Sequence, residues 1–319
     1  MPIDRRTILG AVPLVLAAAD CAAGAPAGPA GEPPGLYRYR VGDATLTALH
    51  EGTLARPLEA GFIPNAPIEA VREAMAQAFL PTDHLDITFT TLLIEANGHR
   101  ILVDTGFADN GPPGTGGTLR GLAAAGIERA SIDTVVMSHF HLDHVLGLRL
   151  KDGSLTYPKA EVLVPEPEWA FWMDEAAAAR APERLHPNFA AVRRIFGTGG
   201  PRVTPFAWDR EIRPGLTALP APGHTPGHTV FLLQSGEARL LHMSDVTNHP
   251  ALFVRHPDWS AVFDIDADQA RATRRRLLDR AADERLQVAF YHAPFPATGH
   301  VARAGDGYAF VPVQWGAPG

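Results

Sequence analysis

The sequence predicts an α/β protein built as a four-layer αβ/βα sandwich, two sheets face to face with helices outside. Three observations predict it. Strand-like apolar runs fall into an N-terminal and a C-terminal group. Each group carries helices of its own, so each sheet has cover for its outer face. Side chains able to ligate metal stand where strands end in both groups, so they would meet along one edge between the halves.

The elements follow in order. Residues 36–41 and 44–50 flank Gly42-Asp43, a hairpin signal. Residues 68–79 are rich in Ala and Glu, with apolar residues near helical spacing, and predict a short helix. Residues 87–95 and 99–103 flank Asn97-Gly98, the strongest hairpin turn in the chain. A Gly/Pro loop over 106–117 leads to a helix from Thr118 to about Ala125. Residues 132–138 read as a buried strand, and 160–164 as another. Residues 165–179 predict a helix bearing Trp169, Phe171 and Trp172, and 186–196 a second helix. Four apolar runs around Val203, Leu216, Thr229 and Leu240 are short strands with Gly/Pro punctuation. Residues 267–282 form an amphipathic helix whose Arg274-Arg275-Arg276 run is expected on a solvated face. Residues 288–292 are a further apolar run, and 308–313 close the chain as a strand.

Composition limits the function. The chain has 319 residues, 46% of them hydrophobic, enough for a sizeable core. A formal charge of −7 without a basic run argues against nucleic acid as partner. The single cysteine, Cys21, excludes a disulfide framework within one chain and a cysteine metal ligand in the catalytic region. Residues 1–34 read as an export signal and linker, and 35–319 as the catalytic domain. Arg5-Arg6, a short apolar stretch and a small-residue tail point to a twin-arginine-type signal and a periplasmic location. That apolar stretch is too short for a stable membrane span. Asp20 is unlike the small residue that precedes a lipidated cysteine.

The chemistry centres on His139-Phe140-His141-Leu142-Asp143-His144. Imidazole and carboxylate suit Zn²⁺, Fe²⁺, Mn²⁺ or Co²⁺. A strand sends neighbouring side chains to opposite faces, so this cluster needs the loop that follows the strand. Further donors stand at later strand ends. These are His224 and His228 in a Pro/Gly turn, Asp245 after an apolar run, and His292 after another. Closed structural zinc sites are usually cysteine-rich. Several candidate donors without cysteine instead suit two metals, each with room for water. His50, His84, His99 and His186 are expected at the surface or at caps, whereas His249 and His300 stand near donors in sequence and are pocket candidates.

With this pattern the chain resembles the metallo-β-lactamase superfamily, whose motif is H-x-H-x-D-H followed by a distant His in a Gly-His turn, then Asp, then His. The resemblance implies the metallo-β-lactamase fold and two divalent metal ions, with zinc as the default. One metal would be held by His139, His141 and His224, the other by Asp143, His144 and His292. Asp245 would bridge them, together with a water or hydroxide. His228 would support the turn, and the buried Asp104 would orient a ligating imidazole. The chain is most similar to the exported members related to methyl parathion hydrolase. The segments that carry this are 37–52, 101–106, 139–147, 223–229 and 292–313. That likeness implies aromatic pocket walls at Trp172 and Phe189. The 106–117 loop departs from it. Asn248 stands where many acyl-homoserine lactonases have Tyr.

The expected reaction is hydrolysis of a small molecule, an ester, lactone or phosphotriester, by a hydroxide shared between the metals. Asp143 would orient the nucleophile and take its proton, and Asp245 would fix the intermetal distance. Alternatives are an acyl-homoserine-type lactonase, a β-lactamase-like amidase, and a non-catalytic metal-binding scaffold. Relatives often pair as homodimers.

Overall fold

The computed structural model describes residues 35–314. The expected export segment and Cys21 lie outside them. Two seven-stranded sheets face each other. The first runs in chain order through β1 (Leu36–Val41), β2 (Ala44–Pro57), β3 (His84–Ala96), β4 (His99–Val103), β5 (Thr134–Val136), β6 (Glu161–Pro165) and β7 (Arg202–Phe206). The second comprises β8 (Arg210–Arg213), β9 (Leu216–Pro220), β10 (Thr229–Ser235), β11 (Ala238–Ser244), β12 (Gln287–Phe290), β13 (Thr298–Ala304) and β14 (Gly307–Pro312). β1 to β4 pair antiparallel, whereas β4 to β7 are parallel, as is the β11–β12 pair. Parallel neighbours need crossovers. α2 (Gly117–Ala124), α3 (Leu142–Val145), α4 (Glu166–Met173), α5 (Glu175–Arg180), α6 (His186–Phe196) and α7 (Ala267–Asp283) lie on them, and α1 (Ile68–Gln77) precedes β3.

The layers follow from alternation along the strands. Leu92, Ile94, Ile101, Val103 and Val136 face inward and meet Leu216, Phe231 and Leu240 of the opposite sheet. Their neighbours Leu93, Leu102 and Val135 face outward and pack on Leu122 of α2 and on Val192 and Ile195 of α6. On the other side Leu277, Leu278 and Ala281 of α7 cover Leu241, Met243 and Val288. This is the period of two that a sheet buried on both faces requires. Truncating Phe231 or Leu240 in the inter-sheet core would cost about 2–5 kcal/mol.

The expected sandwich is the observed one, and the differences have local causes. Asn97 (φ 52°) and Gly98 (φ 78°) both take the left-handed conformation of a type I′ hairpin turn. The helix expected over 165–179 is two helices. Asp174 adopts extended backbone between them, and its carboxylate accepts the Ala176 amide as the α5 N-cap. β8 was not expected, because Arg210-Glu211-Ile212-Arg213 is a polar edge strand with one apolar residue. β13 was also not expected, since Thr298, Gly299 and His300 look like turn sequence. No helix among the described residues is long and apolar enough to cross a membrane.

Candidate dinuclear metal centre

The donors come from both sheets. After β5 the chain passes Met137 and Ser138, turns at His139 and enters α3, which turns His141, Asp143 and His144 toward one point. Asp104, just past β4, anchors this turn. Its carboxylate accepts the Ser138 amide at 2.8 Å, the Ser138 hydroxyl at 2.7 Å and His144 Nδ1–H at 2.9 Å. From the second sheet, His224 comes from the turn before β10, Asp245 follows β11, and His292 follows β12. Asp245 is held by its own amide, which donates to His228 Nε2 at 3.2 Å, while His228 Nδ1–H donates to the Ala221 carbonyl. His228 therefore supports the turn and the aspartate.

Two donor sets result. In the first, His141 Nδ1 lies 3.1 Å from His139 Nε2 and 2.9 Å from His224 Nε2. Each flanking ring uses its outer nitrogen. His139 Nδ1 meets the Ser138 hydroxyl at 3.0 Å, and His224 Nδ1–H donates to Asp264 at 2.9 Å. With the outer nitrogens protonated, three lone pairs converge. Zinc–nitrogen bonds of about 2.0–2.1 Å at tetrahedral angles separate donors by roughly 3.3 Å, so the set fits a divalent cation. In the second, Asp143 Oδ2 lies 3.3 Å from both His144 Nε2 and His292 Nε2. The buried atoms His144 Nε2 and Asp245 Oδ1 have no hydrogen-bond partner among the described residues. They are 3.2 Å apart, as two ligands of one ion would be. Asp245 Oδ2 lies 2.9 Å from His292 Nε2, 3.4 Å from His224 Nε2 and 3.9 Å from His139 Nε2. One carboxylate thus touches both sets.

The electrostatics favour a cation. Burial opposes charge on Asp143 and Asp245, but His144 and His292 outweigh it and hold both carboxyls well below the usual range. Burial lowers His224 too, yet hydrogen bonds to Asp245 and Asp264 overcome it and raise the imidazole to about 9. His292 is raised likewise to about 9, by Asp245 and Asp143. Burial keeps His139 and His141 well below their ordinary value, reinforced by neighbouring histidines.

Several supporting groups escaped the sequence reading. Asp264 orients His224 and also faces Arg274, which is 1% exposed and donates to the carbonyls of Val246, Pro257 and Trp259. Arg274 therefore corrects the expectation of a solvated arginine face: only one side of that helix is solvated. Glu168, fully buried in α4, accepts hydrogen bonds from the Phe140 amide, Trp172 Nε1, the Thr225 hydroxyl and the Gly227 amide. The Tyr291 hydroxyl donates to the Asp143 carbonyl at 2.6 Å, and the Thr88 carbonyl accepts His292 Nδ1–H at 3.0 Å. Most of these partners are distant in sequence, from 28 residues for Glu168 and Phe140 to 204 for Thr88 and His292, and no local motif announces them.

The donors open into a cavity of about 630 Å³. Its wall is largely apolar, with Ile87, Phe89, Phe107, Leu185 and Phe263, and it also carries Arg56, Arg184 and Asn248. Asn248 Nδ2 lies 3.5 Å from Asp245 Oδ2. Trp172 and Phe189, expected as pocket walls, do not reach the cavity. They pack on each other with ring centroids 4.6 Å apart, in the core beneath α4 and α6, because Trp172 Nε1 turns inward to Glu168. His249 and His300 stay outside it as well. His249 caps the π-helical turn Pro250–Val254, and His300 lies exposed on β13 with Nδ1 on the Leu286 carbonyl.

Residues 89–301 match the family model of the metallo-β-lactamase superfamily. The chain belongs to this superfamily. Probable metallo-hydrolases of Mycobacterium bovis and Mycobacterium tuberculosis are each 29% identical to it over 191 residues, 50% of this chain and 56% of theirs. The chain thus spans about half the length of these curated relatives. AidC, a dizinc quorum-quenching lactonase solved with its product, superposes with a TM-score of 0.85 at 26% identity, over 90% of this chain and 100% of AidC. The hydrolase AbOPH gives 0.85 at 25% identity, over the same shares.

Proposed function

We propose that this superfamily member binds two divalent cations and hydrolyses an ester, lactone or phosphotriester. His139, His141 and His224 would hold one cation, and Asp143, His144 and His292 the other, with Asp245 shared. The observation that carries this reading is the Asp245 carboxylate, within 3.4 Å of His224 in one set and 2.9 Å of His292 in the other. Cations bound there would lower the pKa of a water toward neutrality and polarise the electrophile's oxygen. The chain's own groups do the rest. Asp143 lines the cavity and can accept a hydrogen bond from the attacking water, then its proton. Tyr291 fixes the Asp143 backbone. Phe89 and Phe107 line the cavity beside these donors and give it an apolar wall.

Zinc is the proposed metal, supported by the histidine-rich donor set and by the dizinc centre in AidC. Lactone hydrolysis is a second reading, favoured by the likeness to AidC over 90% of this chain. Export through a twin-arginine-type signal rests on Arg5-Arg6 and the apolar run after it. The test is metal counting on purified protein, followed by assay of lactones, aryl esters and phosphotriesters before and after chelation. Two metals per chain with chelator-sensitive turnover supports the proposal. Two metals with no turnover of any of the three classes would mean a non-catalytic scaffold.

A further inference from the structure

The cavity carries two cations of its own, and the metal centre accounts for neither. Arg56 leaves the end of β2, and Arg184 comes from the short turn Glu183–Leu185 before α6, so they approach the cavity from different segments. No ion pair among the described residues involves either guanidinium. Arg56 is also held in place. Its guanidinium carbon lies 5.0 Å from the centre of the Phe263 ring and 5.6 Å from that of Phe62. Aromatic faces support a guanidinium without occupying its N–H fork. Around the two arginines the wall is apolar, with Ile87, Leu185, Val262 and Phe263, and offers no competing carboxylate. The acidic groups of the cavity, Asp143 and Asp245, belong to the metal centre. Unpaired cations in the wall of such a cavity, in a chain of net charge −7, give an incoming anion a local destination.

We propose that the preferred substrate is an ester or lactone whose acyl part ends in a carboxylate, bound by Arg56 and Arg184 while the scissile carbonyl sits at the metal centre. This rests on the hydrolase reading above and names its substrate class. An aliphatic spacer would lie along the apolar wall, and the planar carboxylate matches the arginine fork. The reaction remains simple hydrolysis. The oxygen of water joins the acyl carbon, the ester carbon–oxygen bond breaks, and the leaving oxygen takes up a proton.

The test compares mono-4-nitrophenyl glutarate with its methyl-capped diester on the zinc-loaded protein. The expected kcat/KM is at least tenfold higher for the hemiester at low ionic strength, mostly through KM, and the ratio shrinks as salt is added. In the double variant Arg56→Met, Arg184→Met the ratio falls at least tenfold. Methionine keeps an apolar stem over Phe62 and Phe263, and an unchanged melting temperature verifies the fold. A wild-type ratio of one or below, or a ratio that survives the double substitution, overturns the proposal. Should neither ester turn over, the panel of lactones, aryl esters and phosphotriesters decides the hydrolase reading, and binding decides the arginine site separately. Calorimetry with glutarate monoamide and its methyl ester then supports the site if the carboxylate binds at least tenfold tighter and the double variant loses that preference. Equal binding overturns it.

Discussion

Glu168 and Gly227 are locked together. The Glu168 carboxylate accepts the Gly227 amide at 2.9 Å, and a Cβ on Gly227 would come within 2.1 Å of the Glu168 backbone nitrogen. The contact joins α4 to the turn that carries His224. The same carboxylate accepts the Phe140 amide at 2.9 Å, between His139 and His141. One buried side chain therefore sets the spacing of all three imidazoles in the first donor set.

Replacing Glu168 by Gln puts an amide donor against donors, in a site built for four of them. The expected result is a 10- to 100-fold loss of metal affinity in the first set, with the second retained. Metal titration followed by cobalt absorption spectra would check it. Gly227→Ala should act in the same direction by pushing the turn away from α4. Full metal loading in both variants would remove Glu168 from this role.

Asp245→Asn should damage both sets at once, since each loses the same carboxylate charge. We expect metal content to fall below one ion per chain and turnover to drop by at least about 10³-fold, near the upper range for a lost electrostatic group. Elemental analysis alongside circular dichroism separates this from unfolding. A variant that still holds two ions would show that the aspartate is not shared.

Asp264→Asn tests the support behind His224. The amide is a weaker partner for His224 Nδ1–H and leaves the buried Arg274 guanidinium facing a neutral group. Breaking such a buried pair costs about 3–5 kcal/mol. The melting temperature should drop, and the first donor set should bind metal at least tenfold less tightly. The double variant Asp264→Asn, Arg274→Met should recover part of the stability without the metal affinity.

His242 contributes to acid sensitivity. It points between the sheets from β11, 1% exposed, and neither ring nitrogen has a hydrogen-bond partner among the described residues. Burial lowers its pKa from 6.5 to about 4. The folded state therefore holds this imidazole neutral while the unfolded chain takes up a proton below pH 6.5. The associated stability is complete above pH 6.5 and is lost as pH falls toward 4, up to about 3 kcal/mol. Urea midpoints between pH 7 and pH 4 should fall less steeply in His242→Met than in wild type. Parallel slopes would contradict the assignment.

The sequence made legible whatever depends on neighbours in the chain. Asn97-Gly98 announced its hairpin because only certain residues accept left-handed backbone in succession, and the donors from His139 to His144 announced a metal because that chemistry is concentrated in one loop. Groups whose roles come from partners far along the chain stayed hidden. Glu168 and Arg274 sit in helices where charged residues normally face water, and only the packing of α4 and α7 turned them inward. Trp172 misled for the same reason: aromatic character was visible, but which side of the wall it faces depends on Glu168.

His139, His141, Asp143 and His144 belong to one sheet's side of the sandwich, and His224, Asp245 and His292 to the other. Ions seated among them would rivet the two halves across their seam. Starvation for metal would then loosen the protein as well as silence it, so the depleted form should be clipped sooner by proteases at that seam than the loaded one.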